Sequence, residues 1–308
     1  MAKSKATNMI GVKSKPNRTI PLWRRYTRDL VHIRAAQIAI GILIFMLVFS
    51  YLGPLFSPYG QNQLNVRFAE QAPTLAHWLG TDDYGRDVLT RLMYAGRVSM
   101  LIGILSTVMS IVLGALVGVA SGYFGGLVDA VIMRVADLLM SIPSLPLLII
   151  MAAFLSAFKV PPDSRIYVVM IMLSLIGWPG IARMIRGEVL SLREELYMKA
   201  TEALGLSTRS RLFHHLLPNV YPLLIVQTTL SVAGGILMES TLSFLGLGVM
   251  PPNASWGNMM AVASNLMDFQ KRWWLWIPPG FAVFITVVSI NVLGDRIRDV
   301  VDPRSKEA

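Results

Sequence analysis

Residues 98–121 read VSMLIGILSTVMSIVLGALVGVAS, a run without a single charge. At 1.5 Å rise per residue such a helix reaches about 36 Å, enough to cross a hydrocarbon core about 30 Å thick. Working outward, similar apolar runs occupy about 36–55, 139–158, 165–182, 220–245 and 275–294, each bounded by charges or by Pro and Gly. The chain is 54% hydrophobic and 15% charged, against about 25% charged in soluble domains. The fold class expected is therefore all-α and polytopic, with six transmembrane helices. A basic segment 1–35 precedes a transmembrane domain 36–294, and a short tail 295–308 follows.

The net charge of +10 is not arranged as a groove-reading helix or as a basic patch interleaved with stacking aromatics, so no nucleic-acid partner is expected. The positive residues crowd instead at the ends of apolar runs, against membrane lipid. Lys3, Lys5, Lys13, Lys15, Arg18, Arg24, Arg25, Arg28 and Arg34 face one acid, Asp29, before the first run. The segments 122–138, 183–219 and the tail carry further Arg and Lys, whereas the intervening loops carry few. By the positive-inside rule both termini and the segment 187–219 are cytoplasmic. The sequence around Ser50-Tyr51-Leu52-Gly53-Pro54 lacks an A-x-A-like cleavage site, so the first run reads as a retained helix. Cys is absent, which excludes disulfides, thiolate nucleophiles and Cys-ligated metal.

Ser106, Ser110, Gly114, Gly118 and Gly122 form a small-residue stripe at four-residue spacing. Small residues let helix backbones approach closely in lipid, where Leu against Leu gains little. The stripe fits static packing inside the bundle or a surface against which a pore moves. Glu239 is the clearest charge inside a crossing, costly in hydrocarbon unless it faces protein or water. It is a candidate translocation-path residue, or equally a buried partner of Ser240 or Thr241. Asp82, Asp83, Arg86 and Asp87 suit turn and ion-pair chemistry or a docking face, and with only His77 nearby they lack the spacing of a metal site. Pro143 and Pro146, and Pro179 between Gly177 and Gly180, mark hinges or fixed kinks. Trp273, Trp274 and Trp276 suit the headgroup level at the last crossing. His214 and His215 stand where a short helix meets the bilayer, suiting packing or headgroup contact.

Between the fourth and fifth runs, Leu192, Leu196, Ala200, Ala203 and Leu204 repeat at helical spacing, with Arg193, Glu194, Glu195, Lys199 and Glu202 elsewhere. Such a face outside the bilayer must be covered by a soluble partner or by lipid headgroups. Gly205 can stop the helix in a left-handed cap, Ser207 can start another, and Pro218 precedes the next crossing.

Lys199-Ala200-Thr201-Glu202-Ala203-Leu204-Gly205 with Leu217-Pro218-Asn219 resembles the cytoplasmic EAA loop of permease subunits of binding-protein-dependent ABC importers. Lys199 stands where that family usually has Glu, and Thr201 where it usually has the second Ala. Gly80-Thr81-Asp82-Asp83-Tyr84-Gly85-Arg86-Asp87, the run from Leu242 to Gly248 with Pro251-Pro252 and Ser255-Trp256-Gly257, and Gly294 to Asp299 with Asp302-Pro303-Arg304 resemble the second, C-type permease subunit of dipeptide and oligopeptide importers. The likeness covers about residues 20–306. It implies a type I ABC importer permease fold and a heterodimer with a homologous permease. It also implies two cytoplasmic ATPase subunits and an extracytoplasmic solute-binding protein, in a bacterial or archaeal cytoplasmic membrane. Helix 190–204 would couple to an ATPase. The chain itself has no G-x-x-x-x-G-K-[ST] loop, so ATP and Mg would be used by the partners, and no cofactor or catalytic residue is expected here. Related permeases also carry nickel, glutathione or antimicrobial peptides, which leaves the solute open. An ion-driven secondary transporter is the rival reading, but it calls for more intramembrane carboxylates than Glu239 alone. An intramembrane enzyme is weaker, since H-E-x-x-H and G-x-S-x-G are both missing.

Overall fold

A computed structural model describes residues 33–301. The expected basic segment up to residue 32 and the end of the tail, with Asp302-Pro303-Arg304, lie outside the described residues. Among those described, five helical stretches are long and apolar enough to cross a membrane, or six if one pair bent by 88° counts as a single span. In chain order the principal helices are α1 (Arg34–Tyr51), α2 (Val88–Phe124), α3 (Gly126–Ser141), α4 (Ser144–Ala157), α5 (Pro162–Arg193), α6 (Leu196–Ala203), α7 (Leu217–Phe244), α8 (Trp256–Met260), α9 (Leu266–Lys271) and α10 (Trp273–Val301).

The third crossing corrects the straight helix expected at 139–158. Helices α3 and α4 meet at 88°, with Pro143 as the N-cap of α4. Proline disfavours the α conformation in the residue before it, and Ile142 is extended with ψ 126°. Helix α4 is only 14 residues, about 21 Å, too short to span alone.

Other spans exceed the expected bounds because the charges taken as their edges are satisfied. Helix α2 starts ten residues before Val98. Arg97 lies within it and donates to the carbonyls of Ser50 and Tyr51 at 2.7 and 2.8 Å, so a cation serves the exposed carbonyl end of α1. Helix α5 continues past residue 182 because Arg186 meets Asp129 at 2.5 Å and Arg183 pairs with Asp137, both acids on α3. Helix α7 opens at Leu217, with Pro218 in its first turn where no N–H is needed and Pro222 inside it, so Pro222 does not open the helix.

The small-residue stripe packs α2 against α5. A Cβ on Gly118 would lie 2.6 Å from the carbonyl oxygen of Ala182, and one on Gly114 or Gly122 would come within 2.8 Å of Ile181 or Val189. The Ser110 hydroxyl reaches the carbonyl oxygens of Ser106 at 2.8 Å and Ser174 at 3.3 Å. In a bilayer this close approach contributes what apolar burial cannot.

The loops 52–87 and 245–272 meet at one end of the bundle. Arg272 joins them by pairing with Glu70 and with Asp268. Asp82 accepts from the Tyr84 and Arg86 backbones and the Arg86 side chain, while Asp87 caps α2 through Thr90 at 2.8 Å and meets His77 at 2.9 Å. Trp274 is turned into the protein. It is 8% exposed and donates to the carbonyl of Thr81. Trp276 stacks on Phe269 at 4.8 Å, and Trp273 is exposed.

Candidate functional site

At the opposite end of the bundle, α5 stops at Arg193 and the chain turns through Glu194 and Glu195 into the eight-residue α6. The single helix expected over 190–204 is thus two, because Glu195 is extended, with ψ 144°. Gly205 ends α6 with φ +70°. Its N–H donates to the carbonyl of Glu202 at 2.9 Å, and that of Leu206 to Thr201 at 3.1 Å. This is the paired bonding of a Schellman cap, and the left-handed residue at its centre favours glycine.

The two faces of α6 are unlike. Met198 and Thr201 are buried, and Met198 joins an apolar cluster with Val119 of α2, Ile181, Ile185 and Val189 of α5, and Leu216 and Val220. Thr201 donates its hydroxyl to the carbonyl of Met198 at 2.7 Å, so the departure from Ala satisfies itself. Leu196 and Leu204 are 83% and 78% exposed, and Ala200 and Ala203 are exposed beside them. Of the apolar spacing read from the sequence, Leu192 lies on α5 and packs against this cluster, whereas Leu196, Ala200, Ala203 and Leu204 form the uncovered face. The anchoring residue, Met198, lay outside that pattern; its only signal was an apolar side chain beside charged neighbours.

Ion pairs flank this turn. Lys199 meets Glu194 at 3.1 Å and holds that carboxyl below its usual range, while Glu202 meets Arg211 at 3.5 Å. Burial beside Glu195 and Glu188 pushes the Tyr197 phenol up. Leu217 is half-buried and Pro218 exposed at the start of α7, following a π-helical turn over Arg211–Leu216 that includes His214 and His215.

Glu239 lies near the other end of α7, fully buried. The Ser243 hydroxyl donates to its Oε1 at 2.7 Å, Ser240 is a distant 3.5 Å away, and Ser99 and Ser255 also turn toward the carboxyl. Thr241 is no partner: it donates to the carbonyl of Leu237. Three of these serines accept a backbone N–H from the loop that follows. Val249 donates to Ser243 at 3.0 Å, Trp256 to Ser99 at 3.1 Å, and Asn258 to Ser255 at 3.2 Å. A hydroxyl that accepts an N–H still has its own proton to give, and the carboxyl is the receiver. Glu239 therefore ties α2, α7 and loop 245–258 together. Ser99, Ser243 and Ser255 could not be assigned to it from spacing, since two of the three lie on other segments.

The same loop closes α7 with a second Schellman cap at Gly246, φ +73°, where Leu247 donates to the carbonyl of Leu242 at 2.9 Å. A Cβ on Gly257 would fall 2.6 Å from the Cα of Ser240, so the loop backbone lies directly on α7. The motif from Leu242 to Gly257 thus packs directly onto the end of α7.

Residues 110–307 match the family described as binding-protein-dependent transport system inner membrane component, and residues 21–73 match the N-terminal TM domain of oligopeptide transport permease C. A protein of Brucella suis biovar 1 provisionally named a peptide permease is 39% identical over 294 residues, covering 96% of this chain and 95% of its own. The oligopeptide transport system permease protein OppC of Bacillus subtilis is 33% identical over 302 residues, covering 98% and 96%. The dipeptide transport system permease protein DppC of that organism is 34% identical over 282 residues, covering 92% and 84%. On these matches and on its membrane-crossing helices, the chain belongs to the family of binding-protein-dependent transport system inner membrane components.

Proposed function

We propose that this chain is a permease subunit that forms half of the path for peptides entering a cell in an ATP-driven importer, with α6 as its contact to an ATPase. The exposed face of Leu196, Ala200, Ala203 and Leu204 carries this reading. An apolar stripe on a short, firmly capped helix suits a groove in a soluble partner. The buried side of the same helix, through Met198, reaches the ends of α2, α5 and α7, so displacement of α6 displaces the bundle. The names of the relatives, peptide, oligopeptide and dipeptide permeases, favour peptides over nickel or glutathione.

On this reading the α6 end is cytoplasmic, together with both termini, and the loops 52–87 and 245–272 face outward toward a solute-binding protein. A homologous permease supplies the other half of the path. Two ATPase subunits bind and hydrolyse ATP with Mg, and this chain performs no catalysis. ATP-driven closure of the ATPases then shifts the two permeases between inward-open and outward-open states. The test is uptake of radiolabelled di- to pentaalanine by proteoliposomes holding the full assembly. Uptake should require ATP and the ATPase subunits; uptake that persists without either, or that follows a proton gradient, refutes the reading.

A further inference from the structure

We propose that a cavity of about 400 Å³ at mid-span, between α2, α4, α5 and α7, is this subunit's share of a peptide-backbone binding site, with Gln227 as its anchor. The inference rests on the importer reading and adds the site's chemistry. Ser106 stands about 27 Å along the roughly 55 Å of α2, and Gly177 about 22 Å along the roughly 48 Å of α5. The cavity therefore lies half-way through the bundle, far from α6 and from the loops. Its volume falls within the roughly 300–1,000 Å³ typical of small-molecule sites.

The wall is polar without charge. Ser106, Thr107, Ser110, Ser144, Gln227 and Ser231 line it among apolar residues, and no Asp, Glu, Lys or Arg does. Such groups are costly within the hydrocarbon region unless they face protein or a watered path. Gln227 donates from Nε2 to Ser231 Oγ at 3.2 Å. A carboxamide has two donors and an acceptor oxygen, so it retains capacity for a further donor and a further acceptor. The constant part of peptides with varied side chains is an alternation of N–H and C=O groups. Ser106 and Ser110 give their protons to backbone carbonyls and so offer acceptors, while the Gln227 amide offers both a donor and an acceptor. Together they match that alternation, and without a fixed charge they select no particular side chain.

Two glycines supply an independent observation. Gly180 and Gly234 lie inside helices on the cavity wall, and a Cβ built on either meets nothing within 4 Å. Glycine inside a helix costs about 1 kcal/mol relative to alanine. Gly177 and Gly235, on the same wall, have a packing reason: a Cβ on Gly177 would come within 2.6 Å of Ser110, and one on Gly235 within 3.1 Å of Gly103. Gly180 and Gly234 have none within the chain. Their bare backbones widen the cavity and give a solute close access to it. Glu239 is not part of this wall, although its neighbour Met238 is.

The test uses the full assembly in proteoliposomes with radiolabelled di- to pentaalanine. The chain contains no Cys, so Gly234→Cys places its only thiol in the cavity, and the wild-type assembly controls for thiols on the partners. Because Gly234 lines the proposed site, the unlabelled variant should transport with a raised KM, and its own uptake before labelling is the reference. Its modification by a bulky, water-soluble methanethiosulfonate during ATP turnover should bring uptake to background, and peptide should slow the labelling. Gln227→Leu should raise the KM for uptake about five-fold, the worth of one hydrogen bond, with ATPase stimulation by the binding protein retained. A thiol that the reagent never reaches, or a labelled assembly that transports as before, overturns the cavity while leaving ATP-driven import intact. A wild-type assembly without ATP-dependent uptake refutes the importer reading instead.

Discussion

The two ends of the bundle are built on opposite terms. Loop 245–258 buries Gly248, Val249 and residues 254–257, is hydrogen-bonded through serines to Glu239, and lies directly on α7. The turn around α6 has a firm cap but leaves Leu196 and Leu204 exposed, flanked by surface ion pairs. The hydrogen bonds around Glu239 close within the chain, whereas α6 turns two leucines away from it. Substitutions at the loop end should therefore act on stability, and those at the α6 end on transport.

Glu239→Ala gives the largest expected effect on stability. Removing the acceptor strands several serine hydroxyls in a buried site, and a buried group without its partner costs about 1–3 kcal/mol. Thermal melting of the purified protein should show a marked loss, and Glu239→Gln, which keeps an acceptor oxygen, should recover part of it. A melting temperature like the wild type's would break the contrast at its buried end.

Gly205→Val should be next in stability and decisive for transport. A β-branched side chain at φ +70° costs about 1–2 kcal/mol, and escaping that cost undoes the cap that fixes α6. The protein should still insert, melting a few degrees below the wild type, while ATP-driven uptake is lost. Uptake at the wild-type rate would remove α6 from the coupling scheme. Leu196→Ser with Leu204→Ser should leave melting unchanged, because neither side chain is covered, yet weaken co-purification with the ATPase subunits. A stability loss would show that the chain itself covers that face.

The smallest effect concerns pH. Partial burial, with Asp268, Asp82 and Glu70 nearby, raises the Asp83 carboxyl above 3.8 despite Arg272. The folded state then holds that proton more tightly than the unfolded state does. Its stability is greatest below about 3.8 and declines as pH rises through the raised value. Asp83→Asn should match the wild type near pH 3.5 and melt slightly higher than it at pH 7. A higher wild-type melting temperature at pH 7 would mean that the Arg272 pairing dominates.

The spans and the Gly205 turn were legible in the sequence because each depends on local composition: apolar length for the spans, and a glycine after a periodic run for the turn. Helix ends were not legible where a charge is neutralised by a distant segment. Arg97 is answered by α1, and Arg183 and Arg186 by acids of α3, so each lies inside a helix it was taken to bound. Pro143 and Pro146 marked a bend or hinge in the sequence, but the 88° angle between α3 and α4 was not legible from them. The alternatives at Glu239 were left open for the same reason, since its serines come from α2, α7 and the following loop. Gln227 drew no notice, because a single amide in an apolar run has no periodicity to betray it.

The uncovered side of α6 also bears on how such an assembly is built. On the proposed coupling, a copy of the chain without its ATPase would show water two large leucines on a short capped helix, and a seated copy would show neither. Exposed leucines of this kind are what holding chaperones and membrane proteases recognise. The helix that would receive the stroke of the engine therefore also signals whether an engine is attached, and an orphan subunit carries its own mark for removal.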